Sequence, residues 1–216
     1  MKLLAITDLH GDRPALERIL ECADDAEVIL LGGDITNFGT VEEAESLVRL
    51  VTKKNAAVFA VAGNCDSAAI DRRLRELNVS VFGRGVIHGE WGIHGVSAMP
   101  PWMGNMYELS EEEIGAALES GRTDITNARH EIVLSHAPPH GLSVDQTSRG
   151  THVGSTALGH FIDCFQPTLV VCGHIHEARG VDSAGPTIVV NCGPAFDGCY
   201  AVIDVQDDVK VRLEKA

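Results

Sequence analysis

Two kinds of apolar pattern alternate along this chain. Short β-type runs at Leu3 to Thr7, Val28 to Leu31 and Ala56 to Ala62 are separated by Pro14 to Ala23 and Val41 to Val51, whose apolar residues recur at helical spacing. In the first of these helices Leu16, Ile19 and Leu20 share one face, Asp12 is placed to cap the start, and Pro14 falls in the first turn. Thr40 with Glu43 has capping-box spacing before the second, and Ser110 with Glu113 repeats it before a helix at Glu111 to Glu119. The second half reads as strands at Gly92 to Ala98, Ile132 to Ser135, Thr168 to Cys172, Thr187 to Asn191, Tyr200 to Val205 and Val209 to Leu213, interrupted by one helix at about Gly154 to Phe165. Alternation of this kind implies βαβ units, a central sheet flanked by helices, and hence an α/β fold. Two stretches are irregular, Pro138 to Val153 and Met99 to Met106. Loops as long as the first usually carry function.

Composition changes the picture only by exclusion. The chain has 216 residues, 44% of them apolar and 22% charged, with no repeat, low-complexity tract or linker, so a single domain over 1–216 is expected. The six cysteines, Cys22, Cys65, Cys164, Cys172, Cys192 and Cys199, have neither metal-knuckle spacing nor the density of a secreted scaffold, which points to a reducing, cytoplasmic setting. The apolar start from Met1 to Ile6 stops at Asp8, too short for a signal peptide, and no later run reaches the roughly 18 to 20 residues of a membrane helix. No membrane association is expected. A net charge of −14, with 17 basic residues scattered along the chain, would repel a long polyanion such as duplex DNA.

Candidate chemistry clusters at the strand ends. The first strand delivers Asp8-Leu9-His10-Gly11, the second Gly32-Gly33-Asp34, and the third Gly63-Asn64-Cys65-Asp66. Two later strands end in Ser135-His136-Ala137-Pro138 and Gly173-His174-Ile175-His176. In an open α/β sheet the carboxyl ends of the strands meet at the ligand site, so these side chains converge from far apart in sequence. Carboxylates that can bridge, imidazoles, and one neutral amide oxygen suit two divalent transition-metal ions a few ångströms apart. Manganese is the expected metal, with nickel, zinc and iron also suited to such ligands. The spacing of His174 and His176 leaves open which ion each would serve.

These five blocks, in order over residues 8 to 176, resemble the calcineurin-like metallophosphoesterase superfamily. The run from His136-Ala137-Pro138-Pro139 through Thr151-His152-Val153-Gly154-Ser155 to His176-Glu177 looks like its small single-domain branch, related to class III cyclic-nucleotide phosphodiesterases. That resemblance implies two packed mixed sheets with helices outside, a four-layer sandwich. It also implies that Asp8, His10 and His176 hold one metal, that Asn64, His136 and His174 hold the other, and that Asp34 bridges them. Many relatives carry His directly after the Asn, where it is thought to protonate the leaving oxygen; this chain has Cys65.

The expected activity is hydrolysis of phosphodiesters or small phosphorylated metabolites by a metal-activated hydroxide, phosphodiesters before monoesters, with no covalent enzyme intermediate. Asp34, Asn64, Cys65 and Asp66 are the candidate catalytic residues, Asp66 by orienting ligands. Cys65 has no partner base nearby in sequence and reads as a small neighbour or weak acid rather than a nucleophile. In the irregular segments Arg149, His152 and Trp102 are the candidate substrate contacts, Arg149 through a fork onto phosphate and Trp102 as a wall. His140 shares the long loop, while His88, His94, His130 and His160 read as surface or core histidines. Two other readings are a non-catalytic scaffold on the same fold and a nuclease acting on short oligonucleotides. The sequence leaves both a monomer and a homodimer open.

Overall fold

The computed structural model describes residues 1–54, 56–206 and 208–216. Its first half runs β1 (Lys2–Ile6), α1 (Arg13–Cys22), β2 (Val28–Gly32), α2 (Val41–Val51), β3 (Ala57–Val61) and α3 (Ala68–Glu76). There follow β4 (Val86–His88), β5 (Trp91–Val96), α4 (Glu111–Thr123), β6 (His130–Ser135), α5 (Thr156–Phe165) and β7 (Leu169–Cys172). The chain closes with β8 (Gly180–Ala184), β9 (Thr187–Asn191), β10 (Cys199–Val205) and β11 (Val209–Lys215).

The strands form the two packed mixed sheets that the resemblance implied, where element alternation alone suggested one central sheet, with orders β11-β10-β1-β2-β3 and β4-β5-β6-β7-β9-β8. β1, β2 and β3 are mutually parallel, and Leu3 pairs with Val28, which pairs with Ala57, so all three strands end level with one another. In the other sheet β5, β6, β7 and β9 are parallel and the edges β4 and β8 antiparallel. Every residue of β2 is buried, because each face of its sheet is covered by a different layer.

Alternation along the strands divides the core among those layers. Leu3, Ala5, Leu30 and Val61 point inward and meet Ile93, Leu134 and Val171 of the second sheet. Leu4, Ile6, Ile29 and Leu31 point outward against Leu16, Ile19, Leu47, Val48, Ile70 and Leu74 of α1 to α3. On the far side Val96, Val133 and Val170 pack on Ile114, Leu118, Leu158 and Phe161 of α4 and α5. Each such side chain, fully buried, contributes about 1.5–3 kcal/mol. The result is the four-layer order helix, sheet, sheet, helix.

The expected caps form: the Asp12 carboxylate accepts from the Ala15 amide, Thr40 from Glu43, and Ser110 and Glu113 make a complete capping box. Three elements lie outside the sequence reading. α3 has only Ile70 and Leu74 as large buried apolar residues amid charges. β4 is an edge strand of only three residues, and β8 is an edge strand with Val181 as its one large apolar residue. Among the described residues no helix is long and apolar enough to cross a membrane, and all six cysteines are unpaired.

Candidate metal centre

All five strand ends converge where the two sheets meet: Asp8 and His10 follow β1, Asp34 follows β2, Asn64 β3, His136 β6, and His174 with His176 β7. Four of these residues hold positive φ, Asp8 at 55°, His10 at 47°, Asp34 at 48° and His174 at 67°. The left-handed region costs a non-glycine residue on the order of 1–3 kcal/mol and persists only where neighbours enforce it. Here the Asp8 amide donates to the Gly33 carbonyl at 3.0 Å and the His10 amide to the Asp34 carbonyl at 2.8 Å, locking the first two loops together. Two glycines give the carboxylates room. A Cβ at Gly63 would stand 2.2 Å from Oδ1 of Asp34, and one at Gly173 would stand 2.2 Å from Oδ2 of Asp8.

Asp34 lies between two sets of donors. Its Oδ2 is 3.6 Å from Nε2 of His10, and its Oδ1 is 3.5 Å from Nε2 of His136. On the His10 side, Oδ1 of Asp8 is 3.4 Å from Nε2 of His176, and both Asp8 oxygens accept the His174 amide at 3.1 and 3.0 Å. On the other side Nε2 of His136 faces Oδ1 of Asn64 at 2.8 Å, and the His136 and His174 rings lie 5.0 Å apart. The groups Asp8–His10–His176, Asp8–Asp34–His136 and His10–Asp34–Cys65 each bring three donor atoms within 4.8 Å of one another.

Two observations fit this donor set to cations. Nδ1 of His136 lies 3.0 Å from the Gly32 carbonyl, which can only accept, so Nδ1 carries a proton and Nε2 is the nitrogen turned toward the Asn64 amide oxygen. In the neutral ring these are two acceptors facing one point, an arrangement that suits a cation. In addition, Nε2 of His10 is buried with no hydrogen-bond partner among the described residues.

The electrostatics favour deprotonated donors at Asp8, His10 and His174, as metal binding requires. Burial works against the Asp8 carboxylate, but the His176 hydrogen bond and the His136 and His176 charges hold its pKa down to about 2. Burial, with His136 adding, takes His174 down to about 3, and burial lowers His10. His176 is raised by its bond to Asp8; His136 is raised because the charges of Asp34 and Asp8 outweigh its burial. Burial and the Asp34 charge push the Cys65 thiol well above its ordinary range, so it is a neutral neighbour. Asp66 is also lifted, to about 6, by burial and by Asp34. Its carboxylate accepts the amides of Ile35 at 3.0 Å, Thr36 at 2.9 Å and Gly63 at 2.9 Å and the Thr36 hydroxyl at 2.8 Å, stitching the Asp34 loop to the Asn64 loop.

Two clefts flank the centre. One, about 500 Å³, is lined by Asn64 and His174 of the centre, by the apolar Met99, Pro101, Trp102 and Met106, and by His140 and His152. Trp102 is 70% exposed, on a segment whose Trp102, Met103 and Gly104 amides all donate to Glu108. The other cleft, more open, is bounded by His10, His176, Asn37 and Phe196, whose ring stacks edge-on against both histidines at 5.4 and 5.3 Å. Thus the structure brings His152 and Trp102 to the centre's edge, while Arg149 stands exposed in the turn between Thr147 and Thr151, outside both linings.

Sequence reasoning missed Asp145, Phe196 and Met106. Asp145 is fully buried and meets Nδ1 of His152 at 2.6 Å. A buried acid inside an irregular segment gives no periodic signal; its only trace is an Asp seven residues before a loop histidine. Phe196 sits in a single 3-10 turn, Ala195–Asp197, and Met106 in a loop, neither with a motif of its own.

Comparison with known proteins agrees with this geometry. A family model described as calcineurin-like phosphoesterase matches residues 1–178. An uncharacterized protein of Methanocaldococcus jannaschii, MJ1162, is 35% identical over 219 residues, covering 98% of this chain and 95% of that protein. Phosphodiesterase YfcE of Escherichia coli K12 is 36% identical over 75 residues, 31% of this chain and 41% of YfcE. Among solved structures, TT1561 of Thermus thermophilus superposes with a TM-score of 0.80 at 20% identity, covering 99% of this chain and 98% of that one. An archaeal phosphodiesterase superposes with a TM-score of 0.59 at 16% identity over 100% of both chains. At these identities the superpositions speak to the fold alone.

Proposed function

The chain belongs to the calcineurin-like phosphoesterase family, and from that premise we propose that it is a dinuclear-metal phosphodiesterase acting on small organic phosphodiesters. The observation that carries this reading is Asp34, one carboxylate with an oxygen toward His10 and the other toward His136. Asp8, His10 and His176 would hold one ion, Asn64, His136 and His174 the other, with Asp34 shared; manganese fits this mixed oxygen and nitrogen set, as do nickel, zinc and iron. Divalent cations bound there supply Lewis acidity at a phosphoryl oxygen and acidify water.

The protein's own residues do the rest. Asp66 and the Gly32 carbonyl hold the Asp34 and Asn64 loops and the His136 ring in register, so that the ligands need not reorganise. Cys65, a neutral thiol, donates its backbone amide to Asp34 at 2.7 Å and takes no nucleophilic part. The two clefts leave room for both organic arms of a diester, which, with the phosphodiesterase YfcE among the similar proteins, favours diesters over monoesters. Trp102 and His152 bound the arm that enters the apolar cleft. The net charge of −14 disfavours long nucleic acid, and six unpaired cysteines suit the cytoplasm.

The test is a screen of purified protein against phosphomonoesters, phosphodiesters and cyclic nucleotides, each with manganese, nickel, zinc, iron and magnesium. Metal-dependent hydrolysis of a diester, with two ions per chain by elemental analysis, is expected. Two bound ions without hydrolysis of any ester would favour the scaffold reading; one ion or none would overturn the dinuclear centre.

A further inference from the structure

We propose that His152, held by the buried carboxylate of Asp145, delivers the proton to the departing oxygen of the ester, the part that Cys65 cannot play. This rests on the phosphodiesterase reading. Asp145 is fully buried, and its Oδ1 meets Nδ1 of His152 at 2.6 Å while Oδ2 accepts the amides of Gly141 at 3.2 Å and Gly154 at 3.0 Å. The long loop is therefore folded around one carboxylate, which has a single imidazole on its remaining side. An ionised carboxylate only accepts, so Nδ1 carries a proton and the ring is fixed in one orientation. Its Nε2 makes no hydrogen bond among the described residues, and the ring lines the same cleft as Asn64 and His174.

The neighbouring groups are poorer donors. Cys65 is 8% exposed, its sulfur takes a contact from the Asn64 amide nitrogen at 3.3 Å, and it does not line the cleft. His140 does line it, 5.7 Å from His152 between ring centres, but meets no carboxylate among the described residues and lacks the fixed orientation. An ester held at Asn64 and His174 with its organic arm against Trp102 would have its bridging oxygen within the cleft that His152 lines. The ring acts in its doubly protonated form, with Asp145 balancing its charge: as water attacks phosphorus and gives up a proton to solvent, the bond to the departing oxygen breaks, the electron pair stays on that oxygen, and the oxygen takes the Nε2 proton, leaving a neutral ring that solvent reprotonates.

Leaving-group dependence tests this. The metal-loaded wild type, His152→Ala, His152→Gln and Asp145→Asn are compared on bis(nitrophenyl) phosphate, whose leaving group needs no proton, and on a cyclic nucleotide, whose alkoxide does. His152→Ala is expected to lose about 10² to 10⁴ in kcat/KM on the nucleotide and less than about 10-fold on the nitrophenyl ester. Added imidazole should restore part of the nucleotide rate in His152→Ala, and metal content should stay at the wild-type value in all variants that fold. Because Asp145 also holds two loop amides, His152→Gln, which leaves Asp145 in place, carries the result if Asp145→Asn does not fold. Equal losses on both esters, no loss on the nucleotide, a wild type that cleaves only the nitrophenyl ester, or no imidazole rescue would overturn the proposal. A two-metal wild type that hydrolyses no ester would instead overturn the phosphodiesterase reading on which it rests.

Discussion

Nε2 of His136 and Oδ1 of Asn64 stand 2.8 Å apart although 72 residues separate them in the chain. The far nitrogen of the ring is committed to the Gly32 carbonyl, and the far side of the amide packs on sulfur, its nitrogen 3.3 Å from Cys65 and from Met106. With the ring neutral, both groups present acceptors to the same point, where a bound cation would take the place of the proton that otherwise bridges them.

Asp34 serves both halves of the centre, so its loss should be felt at both. Asp34→Asn keeps an oxygen for the Cys65 amide and should fold, yet it gives up the anionic charge facing His10 and His136. Metal-dependent hydrolysis should fall by more than the roughly 10- to 100-fold usual for losing a ligand's hydrogen-bond partner, with fewer than two ions per chain by elemental analysis. Wild-type rates with matched metal would place the activity elsewhere.

Gly63→Ala should damage the centre without touching a ligand. The new methyl would collide with Oδ1 and the amide of Asp34, both 2.2 Å from its position, and backbone cannot yield as a flexible side chain would. The expected outcome is weaker metal binding by titration and a lower melting temperature, with overpacking costing about 1–3 kcal/mol. An unchanged metal affinity would show that Asp34 can move aside freely.

Asp71 should give the metal-free protein a stability that declines with pH. Burial raises its pKa, against the opposing bonds from Tyr107 at 2.9 Å and Ser97 at 3.1 Å. The folded state then holds a proton that the unfolded chain releases, so stability is greatest below the unfolded value of 3.8 and is lost as pH rises through the folded pKa. Asp71→Asn should flatten this slope in urea unfolding series run upward from about pH 4. It should also cost about 1–3 kcal/mol, since one amide oxygen cannot serve both hydroxyls. Parallel pH profiles for the two proteins would contradict the assignment.

Trp102 faces the apolar cleft from an exposed segment, so its contribution should be to binding rather than to chemistry. Trp102→Ala should raise KM for a diester with an aromatic arm by roughly 2- to 10-fold, from about 0.5–1.5 kcal/mol of ring contact, and leave kcat nearly unchanged. A fall in kcat with KM constant would instead tie the segment to the reaction itself.

Much of this molecule is written locally. Apolar runs ending in Asp8, Asp34, Asn64, His136 and His174, and capping residues such as Asp12, Thr40 and Ser110, are read from a few neighbouring positions, because strand period and helix capping are short-range physics. That parallel strand ends meet is a general property of α/β sheets, which is why the ligand set could be assembled from sequence.

What the tertiary structure alone decided lies in contacts with no local signature. The resemblance carried by the motifs implied two sheets, but local pattern does not say which face of β1 meets Leu134 and which meets Leu16, because a strand buried on both sides reads the same either way. α3 forms on two apolar residues and a Ser67 cap because β3 and α2 wait to cover it, while β4 and β8 exist only as partners of β5 and β9. Asp145 under His152, Asp66 across two loops, and the left-handed backbone at Asp8, His10, Asp34 and His174 follow the same logic. Each costs free energy in isolation, through burial of charge or strain of the chain, and is stable only where residues distant in sequence supply the compensating hydrogen bonds.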